Sequence, residues 1–341
     1  MTRSKSQTLI TGVYRTGSEY LANLINCHPK VSVTMYSVNL LRFIHGRYNP
    51  ISKEENIKSA LNDLGARLLK RYGRKLDKES VLEALTRHRT VDYGILYDAV
   101  MSVLYLQPPA EHWAEKNQLL WREIPTFLDM MPNGKAILII RDPRSVLLSF
   151  KRYTYAPPPG YLGAVFNSLD AMQFALKYRE RLPSDRFRCF RYEDVARDPK
   201  GLAGEVWQFM NLEGVYDVRD QSSWKDAYGR SWHVNSSFHD ERDLRPFDVE
   251  ASINRWQAGL CAEEIGLTEA ICGETMTRFG YTPAGCDFDW ISATRLLLQD
   301  DTIGGYFRKW LSCGTGVEAF PTDPLNEENW RDAQERKYES E

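Results

Sequence analysis

The stretch Thr8-Leu9-Ile10-Thr11-Gly12-Val13-Tyr14-Arg15-Thr16-Gly17-Ser18 decides the fold. Its first part, through Val13, is short, apolar and β-branched, which is the composition of a buried strand. From Ser18 to Cys27 the apolar residues fall at helical spacing. A strand that passes through a glycine-bearing turn into a helix aims backbone N–H groups, and the positive end of the helix, at an anion. The glycines stand in the pattern G-x-x-x-x-G followed by a hydroxyl residue. A nucleotide triphosphatase would carry Lys after the second glycine and then a Ser or Thr for magnesium. Here those places hold Ser18 and Glu19. The cation is instead Arg15, inside the loop, where a guanidinium can grip two phosphate oxygens without a metal. Taken alone, the same pattern also describes a turn that merely reverses the chain.

Working outward, Val31 to Tyr36 reads as a second strand after the helix stops at His28-Pro29. Leu119 to Glu123 reads as a third. Ala136 to Ile140, a continuous apolar run, is the kind of strand buried on both faces of a parallel sheet, and Phe187 to Tyr192 follows as another. Between them, helical spacing appears in two pieces from Lys53 to Arg89, from Pro143 to about Tyr153, through Val165, Leu169, Met172 and Leu176, and from about Pro199 to Met210. A further helix runs from about Ala262 to Phe279. Alternating strands and helices imply an α/β fold with a doubly wound parallel sheet flanked by helices.

The chain has 341 residues, 43% of them hydrophobic, enough for a substantial core. Lys and Arg number 44 against 46 Asp and Glu, a net charge of -2. No global cationic field therefore draws it to nucleic acid, and any anion site must be local. No stretch approaches the roughly 18 apolar residues of a membrane span. The short polar start before Gly12 does not read as a signal peptide, so the expectation is a cytoplasmic protein. Six scattered cysteines without a Cys-x-x-Cys pair point to reduced, mostly buried thiols rather than a zinc site.

A second anion signal stands at Arg141-Asp142-Pro143-Arg144, with Ser149 two turns on, where the Ala136–Ile140 strand enters a helix. Strand ends of a doubly wound sheet form its ligand crevice. Two anion sites at one sheet edge suit a nucleotide phosphorylated at both ends.

Together these residues resemble the sulfotransferases that use 3′-phosphoadenosine 5′-phosphosulfate (PAPS). Gly12-x-x-Arg15-Thr16-Gly17-Ser18, with Leu21 and His28-Pro29, looks like that family's 5′-phosphosulfate loop. Ile140-Arg141-Asp142-Pro143-Arg144 with Ser149 looks like its 3′-phosphate motif. Weaker matches are Arg191-Tyr192-Glu193-Asp194, Asn235-Ser236-Ser237-Phe238, and Trp256 followed by a helix ending at Gly280-Tyr281. The resemblance spans residues 7 to 281. It implies a P-loop nucleotide-binding type of fold over 1–281, with a mostly helical insertion at about 44–113 and a C-terminal extension, 282–341, without an assigned role. It also implies PAPS as donor and adenosine 3′,5′-bisphosphate as product, with no metal.

By that resemblance Arg15, Thr16, Gly17 and Ser18 hold the phosphosulfate, and Arg15 also neutralises the leaving phosphate. Arg141 and Ser149 hold the 3′-phosphate. Tyr20 and Tyr192 are adenine-side candidates, and Ser236 and Ser237 read equally as phosphate contacts and as an ordinary polar turn. The base departs from the family pattern. Family members often place a Glu just after the first motif, yet Val31 to Phe43 contains no carboxylate, and Tyr36 is a poor base. Glu123 is the candidate catalytic base and Arg122 the cation beside it. Consecutive strand residues face opposite ways, so one of the two should be a structural partner. His28, His45, His233 and His239 are weaker candidates. Tyr93, Tyr97, Trp224 and Trp232 suit either the core or an acceptor wall. The acceptor is read as a small molecule, glycan or lipid carrying a hydroxyl or amine. Two other readings stay open, an inactive PAPS-binding module and a P-loop kinase.

Overall fold

The computed structural model describes residues 6–34, 38–153, 159–214, 216–218, 224–225 and 248–319. Strand β1 (Ser6–Gly12) leads through the glycine loop into helix α1 (Ser18–Asn26), and β2 (Val31–Val33) follows. A helical stretch then contains α2 (Leu40–Phe43), α3 (Glu54–Tyr72), α4 (Lys78–Leu85) and α5 (Tyr93–Tyr105). After β3 (His112–Lys116) come α6 (Ile124–Met130), β4 (Lys135–Ile140), α7 (Pro143–Tyr153), α8 (Gly163–Arg181) and β5 (Phe187–Arg191). Short α9 (Tyr192–Arg197) and α10 (Pro199–Phe209) continue the chain. Beyond them lie α11 (Val249–Asn254), α12 (Trp256–Gly259), α13 (Ala262–Arg278), α14 (Trp290–Leu298) and α15 (Asp301–Cys313).

The five strands form one sheet in the order β2-β3-β1-β4-β5, every pairing parallel. Period-two alternation divides its side chains between two cores. Leu9, Trp113, Ala136, Leu138 and Ile140 join helices α3 to α8 and α13 on one face. Ile10, Val31, Val33, Ala114, Ile137 and Ile139 meet α1, α9 and α10 on the other. With β1 at the centre, its carboxyl end opens between those of β3 and β4, which is where a doubly wound sheet holds its ligand.

The third strand is not where the sequence suggested. It is His112-Trp113-Ala114-Glu115-Lys116, buried at all five positions, whereas Leu119 to Glu123 forms a turn and a single 3-10 turn over Trp121–Glu123. The physical reason is pairing at long range. The His112 ring bonds Ser6 Oγ at 2.6 Å, and Glu115 accepts from Tyr97 Oη, from Asn39 N and from Asn117 Nδ2. Polar residues so satisfied cost little to bury, and the strand lacks the apolar run that betrays a central strand. The six cysteines are free, but only Cys272 is buried, and Cys261 and Cys313 are exposed. That corrects the expectation of mostly buried thiols.

Candidate functional site

The glycine loop closes on itself before it meets anything else. Thr16 Oγ1 donates to Val13 O at 2.7 Å and Thr16 N to the same carbonyl at 3.3 Å. Arg15 and Gly17 both sit in the left-handed region, with φ of 70° and 86°. At Gly17 a Cβ would overlap the Tyr192 ring, so the loop packs against an aromatic face that only glycine leaves room for. Gly17 is also the N-cap of α1, and no side chain among the described residues caps that helix. Its first-turn N–H groups therefore keep the arrangement that favours an anion.

The two anion motifs, far apart in sequence, are joined here. Arg15 Nε donates to Ser149 Oγ at 3.1 Å, and Arg141 Nη1 donates to the Arg15 carbonyl at 3.0 Å. Arg141 Nη2 donates to Ser252 O at 2.7 Å, and its guanidinium lies over the Tyr192 ring at 4.2 Å. Tyr192 Oη in turn shares a 2.7 Å hydrogen bond with Ser252 Oγ. Arg141 is 6% exposed, and its Nε is buried without a partner among the described residues. An orphaned donor on a buried cation is costly unless an anion completes it, so these residues fit a phosphate.

Neighbouring Asp142 and Arg144 are spent elsewhere. Arg144 N, Nε and Nη2 donate to the Asp142 carboxylate, Arg144 Nη1 reaches Glu269 at 2.6 Å, and Trp256 lies 3.9 Å beneath. Asp142 thereby caps α7 while its charge is matched, and it subtracts little from the cations at the crevice. Glu193 also plays a structural part, accepting from Asp142 N at 3.0 Å and from Tyr281 Oη at 2.8 Å. Its burial pushes its carboxyl up.

Tyr20 is 7% exposed and stands edge-on to Tyr192 and to Trp224, with centroids 6.5 and 5.3 Å away. Burial pushes its hydroxyl up to about 12. Trp224 thus belongs with the Tyr20–Tyr192 cluster, and Tyr97 is wholly buried in the core against Trp113. Tyr93 lies 4.9 Å from the His45 ring. His28 is fully buried, with Nδ1 accepting from Lys30 N and Nε2 bonded to Glu213 O. Tyr36, Trp232, His233, Ser236, Ser237 and His239 lie outside the described residues.

Arg122 and Glu123 end the 3-10 turn, so the strand alternation that set them on opposite faces does not apply. Arg122 grips Asp170 with Nε at 2.9 Å and Nη2 at 2.7 Å, and Asp170 also accepts from Trp121 Nε1 at 2.8 Å. Glu123 is half-buried at the turn's end, next to α6.

Sequence reasoning missed three residues that reach this edge. Lys116, 2% exposed at the end of β3, pairs with Glu19 on the first turn of α1 at 3.4 Å. Gln118 Nε2 donates to Ser18 Oγ at 3.1 Å, and Ser252 anchors both Arg141 and Tyr192. A cation at a strand end was the available signal for Lys116, as at Arg141, but the strand itself went unrecognised. Arg15, Arg141, Lys116 and the start of α1 make this edge locally cationic in a chain whose net charge is -2.

The pattern has a counterpart in known proteins. A model of the sulfotransferase family matches residues 8–217. The chain belongs to that family. Among curated sulfotransferases it is similar to carbohydrate sulfotransferase 1 of Danio rerio, 26% identical over 118 residues that cover 35% of this chain and 27% of that protein. It is also similar to carbohydrate sulfotransferase 3 of Tetronarce californica, 22% identical over 174 residues covering 46% and 38%. The chain thus matches about a quarter to two fifths of the length of these relatives. The sulfotransferase domain from the curacin biosynthetic pathway, at 16% identity, superposes with a TM-score of 0.50 over 82% of this chain and 99% of that one. This is a likeness of fold.

Proposed function

We propose that this chain transfers a sulfuryl group from PAPS to an acceptor hydroxyl or amine, and that a carbohydrate hydroxyl is the first acceptor to try. The observation that carries the donor assignment is the joining of the two anion motifs, Arg15 to Ser149 and Arg141 to the Arg15 carbonyl, around an unsatisfied Arg141 Nε. When bound, PAPS supplies an activated sulfuryl group whose leaving phosphate gains charge.

In this reading the loop N–H groups, Ser18 and Arg15 bind the 5′ end and keep it aligned for in-line displacement. Arg141 and Ser149 hold the 3′-phosphate, with Tyr20 and Tyr192 on the adenine side. Lys116 adds a cation beside the first turn of α1, held in place by Glu19. Fixed cations aimed at developing charge in a partly desolvated site are the strongest contribution such a fold can make. Support for a carbohydrate acceptor comes from the names of the two curated relatives.

The test is incubation with radiolabelled PAPS and a panel of unsulfated chondroitin, an alkyl galactoside and a simple phenol. Label is expected on a saccharide and not with an Arg15→Ala variant. Label on the phenol alone would move the acceptor class, and no transfer to any member would contradict the reading.

A further inference from the structure

After α15 the chain turns at Gly314 and comes back onto α8 in an unusually well-fastened segment. At Gly316 a Cβ would overlap Phe166 O and stand 2.8 Å from Asp170 Cβ, so only glycine allows so close an approach. Gly316 N donates to Gln173 Oε1 at 3.2 Å and Val317 N to Phe166 O at 3.2 Å. Asn167 and Ala319 exchange two hydrogen bonds, Ala319 N to Oδ1 at 2.7 Å and Nδ2 to Ala319 O at 3.1 Å. Val317 is buried, at 8% exposure. Between these attachments Glu318 is left half-buried, its carboxylate 3.4 Å from Arg122 N.

That position matters because of what leads to Arg122. The segment after β3 crosses the carboxyl end of β1, with Leu119 N on Gly12 O at 3.0 Å, Leu120 N on Thr11 Oγ1 at 3.0 Å and Gln118 on Ser18. Arg42 from α2 donates to the carbonyls of Gln118 and Leu119. Glu318 therefore stands at the same sheet edge as the glycine loop. Val31 to Phe43 carries no carboxylate, and Glu115 is fully buried and committed to Tyr97, Asn39 and Asn117.

We propose that Glu318 is the general base that takes the proton from the acceptor hydroxyl. The assignment rests on the sulfuryl-transfer reading above. In the step, the hydroxyl oxygen forms the new O–S bond and its proton passes to the Glu318 carboxylate. The S–O bond to the nucleotide phosphate breaks, leaving its electron pair on the phosphate oxygen. The proton then returns to solvent.

Among the described residues, the charged and titratable groups around Glu318 include Arg122, Arg42, Asp170 and Tyr178. Glu123 acts on the same Tyr178. Burial pushes Glu318 up to about 7, and Arg122 and Arg42 offset only part of that. A base is most effective when its pKa lies near the working pH.

The experiment measures kcat, kcat/KM against pH, and calorimetric binding of adenosine 3′,5′-bisphosphate. It uses the panel acceptor that the unsubstituted protein sulfates fastest, with Glu318→Gln, Glu318→Asp and Glu123→Gln as variants. Glu318→Gln is expected to bind the nucleotide within about twofold and to lose about 100- to 10 000-fold in kcat, the usual range for a positioned base. The unsubstituted protein should show an acidic limb in kcat/KM that levels off above about pH 7, absent in Glu318→Gln and retained in Glu318→Asp. Loss of the limb in Glu123→Gln but not in Glu318→Gln would overturn the proposal. Full turnover with an intact limb in Glu318→Gln would overturn the proposal. So would equal loss of nucleotide binding or of melting temperature in Glu318→Gln and Glu318→Asp, which would mark the segment as structural. If the unsubstituted protein bound no nucleotide, the transferase reading itself would fail and take this assignment with it.

Discussion

The carboxyl ends of β1 and β4 and the carboxyl end of β3 border one crevice, yet they are constructed differently. At β1 the anion site is local, since a handful of consecutive residues supplies the glycine, the cation and the uncapped helix start. At β4 the cation follows the strand directly and is held by a carbonyl of the β1 loop. At β3 nothing is local. Lys116 finds Glu19, Gln118 finds Ser18, and Arg122 meets Asp170 and the returning segment at Glu318. Backbone N–H groups and close glycine contacts bind a phosphate of any nucleotide and need no partner from afar. A site for an acceptor has to be assembled from elements that differ between proteins, so it draws on distant parts of the chain.

The comparison can be broken first at Gly17. An Ala there combines a φ of 86° with overlap on Tyr192. Strain and overpacking of roughly 4 kcal/mol should weaken adenosine 3′,5′-bisphosphate binding by about 1000-fold. Calorimetry checks it, and near-normal affinity would show that the loop is not the binding element. Next, Lys116→Met should lower kcat about 100-fold or more while changing nucleotide affinity less than about tenfold, as expected for a cation that acts on developing charge. A loss confined to nucleotide affinity would place Lys116 with the donor half instead.

Arg141→Ala removes a buried, charge-assisted donor worth about 2 kcal/mol, so nucleotide affinity should fall about 30-fold. The same titration with adenosine 5′-monophosphate should show a smaller loss in Arg141→Ala, because the 3′-phosphate is absent and only the support of the loop through the Arg15 carbonyl is removed. The smallest effect is expected from Tyr192→Phe, which loses only the hydrogen bond to Ser252 Oγ. About 1 kcal/mol, a fivefold change in affinity, is the scale for one neutral bond. A thermal melt should register a comparably small shift.

How much of this was legible follows the same division. Glycine spacing and a β-branched run identify β1, and the apolar Ala136 to Ile140 identifies β4, because in both cases neighbours in sequence create the signal. The parallel sheet and its flanking helices follow from the alternation of elements. The strand β3 was misplaced because His112 and Glu115 are satisfied by Ser6, Asn39 and Tyr97, residues 18 to 106 positions away. Ser252 and Glu318 carry no local mark at all. Their positions come from α11 meeting Arg141 and from Gly316 fitting against α8. The pairing of Arg122 with Asp170 was equally invisible, and the strand alternation that set Arg122 apart from Glu123 falls with the misplaced strand.

The central claim is that Arg15, Arg141 and Ser149 form one nucleotide site that needs no metal. It is tested most directly by titrating the protein with adenosine 3′,5′-bisphosphate in EDTA and again in magnesium, with Arg141→Ala alongside. The account predicts saturable one-to-one binding of the same affinity in both buffers, weakened about 30-fold by the substitution. Binding that appears only with magnesium, or that is indifferent to Arg141, would contradict it.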